Sequence, residues 1–261
     1  HREENVMAKN LRFGWGAHDA ILSCMLAKEG FTGPLRVIEG DSGIRSVLLH
    51  GEMDLERLID FSGWRIVKVT HKPLPLNATS HGYIFATIDI VKEQNLKPED
   101  IESVRIRAPK GELEHTTAPP KKYPRNAESA DHSAFYATAV AIKERAFGVD
   151  AFQPEKFTDP VILDLIERIT TEVDSSLPHN GGSAEIITRD GRRFMKRIEV
   201  PHGKGEFVLT DKELEEKFRG MAARYMPYDQ VKKLIEACWN ADKIDDLAEL
   251  TKLMVFPKAK S

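Results

Sequence analysis

The chain has 261 residues, 41% of them hydrophobic, enough to enclose a sizeable core in one large or two smaller domains. Its 38 Lys and Arg nearly balance 41 Asp and Glu, for a formal charge of -3, which excludes the basic surplus of a nucleic-acid binder and leaves anionic ligands to local clusters. No apolar run reaches the roughly 20 residues of a membrane span, and the start HREENVMAKN has no signal-peptide core. Only Cys24 and Cys238 occur, each inside a helix-like apolar pattern. These features predict a soluble cytoplasmic protein with buried free thiols, bound to neither nucleic acid nor membrane.

In chain order, Ala20, Ile21, Cys24, Met25 and Ala27 recur at helical spacing and Gly30 follows as a stop, predicting a helix over 17–29. FTGP turns the chain, and DLERLID predicts a short helix at 54–60. From Trp64 the texture changes: WRIVKVT alternates like a strand, 82–94 reads as a helix and IESVRIR, 101–107, as a strand. The polar, Pro-rich stretch 110–127 predicts a loop long enough for a functional or interface role. SADHSAFYATAVAIKERAF, 129–147, predicts a helix with Asp131 at its N-cap, and Asp159-Pro160 opens another over 159–169. SAEIITR and RFMKRIEV flank Asp190-Gly191, a hairpin signal. Thr210 and Glu213 form a capping-box pattern, and three amphipathic helices run from there to the end. The fold class expected is α+β, helical at both ends, with a small, mainly antiparallel sheet between.

No GxGxxG, GxxxxGK[ST], HExxH, CxxC or GxSxG element stands in a convincing context. HGKGE, 202–206, looks like a phosphate loop but no strand feeds it, and it is not read as a nucleotide site. The nine histidines lack i, i+4 pairing on one helix and cysteine support, so no metal site is expected. HKPLPLNATSH, 71–81, is richer: Pro73 and Pro75 stiffen a turn, and Thr79 or Ser80 caps the helix that follows. Capping requires neither Lys72 nor His81, yet both favour anions, and a carboxylate near Lys72, Thr79 and Ser80 would meet the free N–H groups of a helix start. His132 and Tyr136 lie i, i+4 apart and share a face that could present an imidazole and a phenol to one ligand; Tyr136 reads equally as a core residue with a satisfied hydroxyl.

Four separated segments together resemble one family. KNLRFGWGAHDAILSCMLAKEGFTGPLRVIEGDSG, 9–43, is similar to the MmgE/PrpD segment in which a lysine and a Gly-Ala-rich helix lead to GfTGP and EG..G. HKPLPLNATSH resembles its K-x-[YF]-P…[ST]-H turn, SADHSAFYATAVA its A-x-[HF]-S-x-x-Y-x-x-A helix, and TDKELEEKFRGMA its sdeeleaKFr segment. Order and spacing fit, and the resemblance spans essentially the whole chain.

The resemblance implies enzymes such as 2-methylcitrate dehydratase, cis-aconitate decarboxylase and an iminodisuccinate epimerase, acting on small polycarboxylates without metal or cofactor. It implies a mainly helical, discontinuous domain, here 1–62 and 208–261, with an inserted α+β lid at 63–207, and a homodimer. Carried over by position, Lys9, Lys72, His81 and Tyr136 become catalytic candidates, and Asn77, Thr79, Ser80 and His132 substrate-binding ones. Asn77 falls where the decarboxylase carries a histidine, which argues against decarboxylation. The implied reaction is the loss of water from a methylcitrate-like tricarboxylate, as in propionate catabolism. A dicarboxylate epimerase or a decarboxylase is the enzymatic alternative and a non-catalytic assembly subunit the other. The family's N-terminal helical region, with its acidic and histidine-bearing motif, has no counterpart in these residues, so the site is expected to need that half in cis or in trans.

Overall fold

The computed structural model describes residues 8–256, and of Lys9, Asn10 and Arg65 the backbone only. The chain divides into two compact units, between Val69 and Thr70.

The first unit is helical. Helix α1, Ala8–Lys28, ends where Gly30 takes φ 88°, the Gly30 N–H reaching the Ala27 carbonyl and the Phe31 N–H the Leu26 carbonyl. That pair of hydrogen bonds is the glycine-capped helix end the sequence signals. Two single-turn helices follow, α2 (Ile44–Val47) and α3 (Leu55–Leu58), the latter capped by Asp54. WRIVKVT is not a strand. Residues Arg65–Lys68 form a 3₁₀ turn, and Trp64, Ile66, Val67 and Val69 are exposed. Alternating apolarity becomes a strand only where a ladder partner exists, and no strand pairs with this stretch among the described residues.

The second unit holds a four-stranded mixed sheet in the order β2-β1-β3-β4, with β1 Ile101–Ala108, β2 Ile169–Val173, β3 Gly182–Thr188 and β4 Arg193–Ile198. The Asp190-Gly191 hairpin joins β3 to β4 as expected, Gly191 taking φ 86°. The sheet is mainly antiparallel, as expected, with β2 the exception: it pairs parallel to β1, Val104 opposite Ile169. Only Ile169 of β2 falls inside the helix expected over 159–169, and the remaining TTEV is too short and too polar to signal a strand. The helix itself, α8 (Pro160–Glu167), is capped by Asp159, whose side chain accepts from the Val161 and Ile162 N–H groups.

Helix α4 (His81–Glu93) lies over β3 and β4, and α7 (Ala134–Glu144) packs against α4 and α8. The core gathers Ile84, Ile88 and Val91 of α4, Val104 and Ile106 of β1, Ala184 and Ile186 of β3, and Ile162, Leu165 and Ile166 of α8. Burying side chains of this size contributes about 1.5–3 kcal/mol each. The opposite sheet face is an ion ladder in which Glu185, 5% exposed, meets Arg107 at 2.9 Å and Arg193 at 2.6 Å.

Two further expectations are revised. The 110–127 stretch contains helices α5 (Lys110–Thr116) and, at its end, α6 (Ala127–Ala130). The cap of α7 is Ser133, whose Oγ accepts from the Tyr136 N–H, while Asp131 closes the preceding turn. After the capping box at Thr210 and Glu213, α9 (Asp211–Ala222), α10 (Tyr228–Trp239) and α11 (Leu247–Lys252) enclose a small cluster of Ala222, Met226, Val231, Leu234 and Ile235. Cys24 on α1 and Cys238 on α10 are exposed free thiols, not buried ones, because both sit on apolar faces that the described residues leave uncovered.

The start of α4 meets the start of β3 backbone to backbone. A Cβ on Gly82 would fall 2.3 Å from the Gly182 nitrogen, and one on Gly182 2.3 Å from the Tyr83 nitrogen. Gly82→Ala and Gly182→Ala are each expected to cost about 1–3 kcal/mol in urea denaturation, as overpacking does; Gly111→Ala, which meets nothing within 4 Å, is expected to change stability little.

Candidate active site

The turn 71–81 does not end as the sequence suggested. Asn77 is the capping residue: its Oδ1 accepts from the Thr79 N–H at 3.1 Å and the Thr79 hydroxyl at 2.9 Å, opening a 3₁₀ turn at Ala78–Ser80 that runs into α4. Ser80 faces inward, its hydroxyl accepting from the Tyr83 O–H at 2.7 Å. The Asn77 N–H donates to the Asp131 carbonyl at 2.9 Å, tying the turn to the SADHS segment.

His81, the first residue of α4, is fully buried, and neither ring nitrogen makes a well-formed hydrogen bond. Burial, followed by the charges of Lys72 and Lys204, lowers its pKa to about 4, against a weaker opposing pull from the Leu74 and Leu76 carbonyls. The imidazole is therefore neutral at pH 7 and free to accept a proton. Lys72 donates to the Leu76 carbonyl at 3.0 Å.

Two lysines not singled out from the sequence join this pair. Lys217 of α9 donates to the Lys72 carbonyl at 2.7 Å; burial and then Lys72 hold its pKa below the ordinary value. Lys204 is lowered by burial and by Lys72, with Glu112 opposing. Lys217 is the lysine of the KF pair in TDKELEEKFRGMA, a signal that was in view. Lys204 sits in the HGKGE stretch set aside as a phosphate-loop lookalike, and its flanking glycines, Gly203 at φ 88° and Gly205 at φ 55°, were the signal. Glu112 lies on α5, in the stretch expected to be a loop. Its buried carboxylate receives the Asn180 N–H at 2.7 Å and His179 at 2.6 Å through Oε1, leaving Oε2 without a partner.

The other expected residues lie elsewhere. The buried Tyr136 hydroxyl donates to the Ala151 carbonyl and its ring packs on Phe157 at 5.5 Å, the core role that was the alternative reading. His132 is buried beside the Asp131 carboxylate, its ring 5.1 Å from that of His115. Lys9 is on α1 of the first unit, and its side chain lies outside the described residues. Among the described residues, no three His, Cys, Asp or Glu side chains gather to hold a metal ion, and no helix is long and apolar enough to cross a membrane.

A family model for the MmgE/PrpD C-terminal domain matches residues 75–241. The chain belongs to the MmgE/PrpD family. Within that match lie His81, Lys204 and Lys217, with Lys72 just before it. Similar curated proteins are the cis-aconitate decarboxylase of Homo sapiens, 24% identical over 266 residues, 97% of this chain and 54% of that protein, and that of Mus musculus, 22% identical over 267 residues, 98% and 54%. A third is the cis-aconitate decarboxylase-like protein oryM of Aspergillus oryzae, 20% identical over 268 residues, 95% and 55%. The chain thus spans about half the length of the curated relatives it matches.

His81 has a lower pKa folded, about 4, than its ordinary 6.5, so between these values the unfolded chain holds more protons. Its contribution to stability is full above pH 6.5 and is lost as pH falls toward 4, on the order of 3 kcal/mol across the window. Urea denaturation at pH 7 and 4.5 is expected to show this slope in the native chain and a flatter one in His81→Gln.

Proposed function

We propose that this chain carries the carboxylate-holding and proton-transferring part of a lyase that removes water from a small tri- or dicarboxylate, working with a helical N-terminal half in cis or in trans. The observation that carries the reading is the neutral, buried imidazole of His81, whose ring nitrogens make no well-formed hydrogen bond, beside Lys72 at the start of α4. A proton alpha to a carboxylate is only weakly acidic, and its removal puts enolate-like charge on the carboxylate oxygens. A lysine aimed at those oxygens stabilises that charge more than the ground state. His81 takes the alpha proton; the C–H electron pair becomes the new double bond as the beta hydroxyl leaves with a proton as water. A carboxylate bound at Lys72 would also cancel part of the repulsion that keeps His81 weakly basic, so substrate binding raises the basicity of the base that acts on it.

Dehydration is supported by the resemblance alone, which sets the Asn77 amide at the position where it implies a histidine in the decarboxylase. The second reading is decarboxylation, favoured by the activity in the relatives' names; there carbon dioxide departs and leaves its electron pair on carbon. The test co-expresses the chain with the N-terminal half of a family member and assays two substrates. Loss of water from 2-methylcitrate is the expected result, carbon dioxide release from cis-aconitate alone supports the second reading, and turnover of neither in any pairing overturns both. In an active pairing, Lys72→Ala is expected to lower kcat/KM by at least about tenfold, while the stability of the chain changes by less than about 1 kcal/mol, as for an exposed side chain.

A further inference from the structure

We propose that Lys204 is a specificity residue that holds a third carboxylate, so that the site favours tricarboxylates over dicarboxylates; the inference rests on the reading of the Lys72 and His81 site as a carboxylate site.

The loop that carries Lys204 is built to sit against the 71–73 turn. A Cβ on Gly203 would lie 2.4 Å from the His71 carbonyl oxygen and 2.7 Å from the Pro73 ring, so only glycine permits the approach. The Gly203 N–H donates to the Phe207 carbonyl at 2.6 Å and the Phe207 N–H to the Lys204 carbonyl at 2.9 Å, closing a tight turn around the lysine. His202 contacts Glu213 at 2.8 Å, and Glu213 is itself locked to Thr210 in the capping box, which fastens the loop to α9. These tethers bring Lys204 close enough to Lys72 and His81 for its charge to bear on both.

The three lysines differ in what they already hold. Lys72 is bonded to the Leu76 carbonyl and Lys217 to the Lys72 carbonyl, which fixes both ammonium groups along the turn. Lys204 forms no side-chain hydrogen bond or ion pair among the described residues; Glu112 is the acid whose charge reaches it, and the Oε1 of Glu112 is already engaged by Asn180 and His179. Crowding like charges around a buried, neutral imidazole is unfavourable in the free protein, and an arriving polyanion relieves it. Lys72 is placed for one carboxylate and Lys217 for a second. Lys204, on the separate 202–206 loop, is left for a third.

The experiment is isothermal titration calorimetry of the chain co-expressed with the N-terminal half of a family member, with citrate and with malate, for the native chain, Lys204→Gln, Lys204→Met and Lys212→Gln, the last an exposed α9 lysine 3.8 Å from Glu216. Near-ultraviolet circular dichroism checks that each variant is folded, and either Lys204 variant suffices. The expected result is tighter binding of citrate than malate by the native chain, a rise of about tenfold in the citrate Kd for the Lys204 variants, about 1.4 kcal/mol, and a change under about twofold for malate. Lys212→Gln is expected to bind both as the native chain does. Equal losses for the two ligands, or none, overturn the role of Lys204 while leaving the carboxylate site standing. Absence of binding of either ligand to the native chain overturns the carboxylate reading and this inference with it.

Discussion

The contact between the backbones of Gly82 and Gly182 is the constraint on which the second unit turns. With no side chain on either residue, the first turn of α4 can rest directly on the first residues of β3, and the Asn180 to Gly182 loop is then held by the Glu112 carboxylate. Everything that gives the site its chemistry follows from where this contact puts the beginning of α4. His81 goes under the 71–76 turn and loses water, and Tyr83 points its hydroxyl at Ser80 and Thr116. One residue pair with hydrogen for a side chain thus decides both the core packing of α4 and the protonation state of its first residue.

Around that buried imidazole the protein accepts an electrostatic cost. Lys204 of the 202–206 loop and Lys217 of α9 both lie within reach of the charge of Lys72 in the 71–81 turn, and burial together with that charge pulls their pKa values down. Structural lysines are normally paired or solvated; here they are tethered through backbone carbonyls and glycine-permitted contacts instead of carboxylates. Such a cluster is least favourable when the site is empty, and an anion with several charges is the species that reverses the balance. Burial first, and the charges of Lys72 and Lys204 after it, hold the His81 pKa far below its ordinary range, which is why its titration should be visible in the stability of the folded chain.

Helix ends, hairpin and capping boxes were legible in the sequence because each is decided within four or five residues: Gly30 closing α1, Asp159-Pro160 opening α8, Asp190-Gly191 joining β3 to β4, and Thr210 with Glu213 starting α9. Lys72 and His81 stood out as candidates for the same local reason, since an anion-favouring pair around a prolyl turn has no capping function to explain it. The strand expected at 64–70 failed for the opposite reason: whether an alternating segment pairs depends on a partner elsewhere in the chain. The parallel placement of β2 beside β1 likewise depends on a crossover of about sixty residues that leaves no local trace. Tyr136 shows the limit for side chains, because helical spacing puts it on a face but only packing says that the face meets Ala151 and Phe157.

What the sequence by itself determined is the family, the α+β class and most element boundaries, all of them properties of short stretches or of their order along the chain. The tertiary structure alone decided which distant stretches meet. It folded the HGKGE loop, unremarkable as a motif, onto the HKP turn through Gly203. It set Lys217 of α9 against Lys72, 145 residues away, and made the His81 imidazole neutral by burial. Charge and solvation at a site depend on distances across the fold, and those distances are set by packing, not by spacing in the chain.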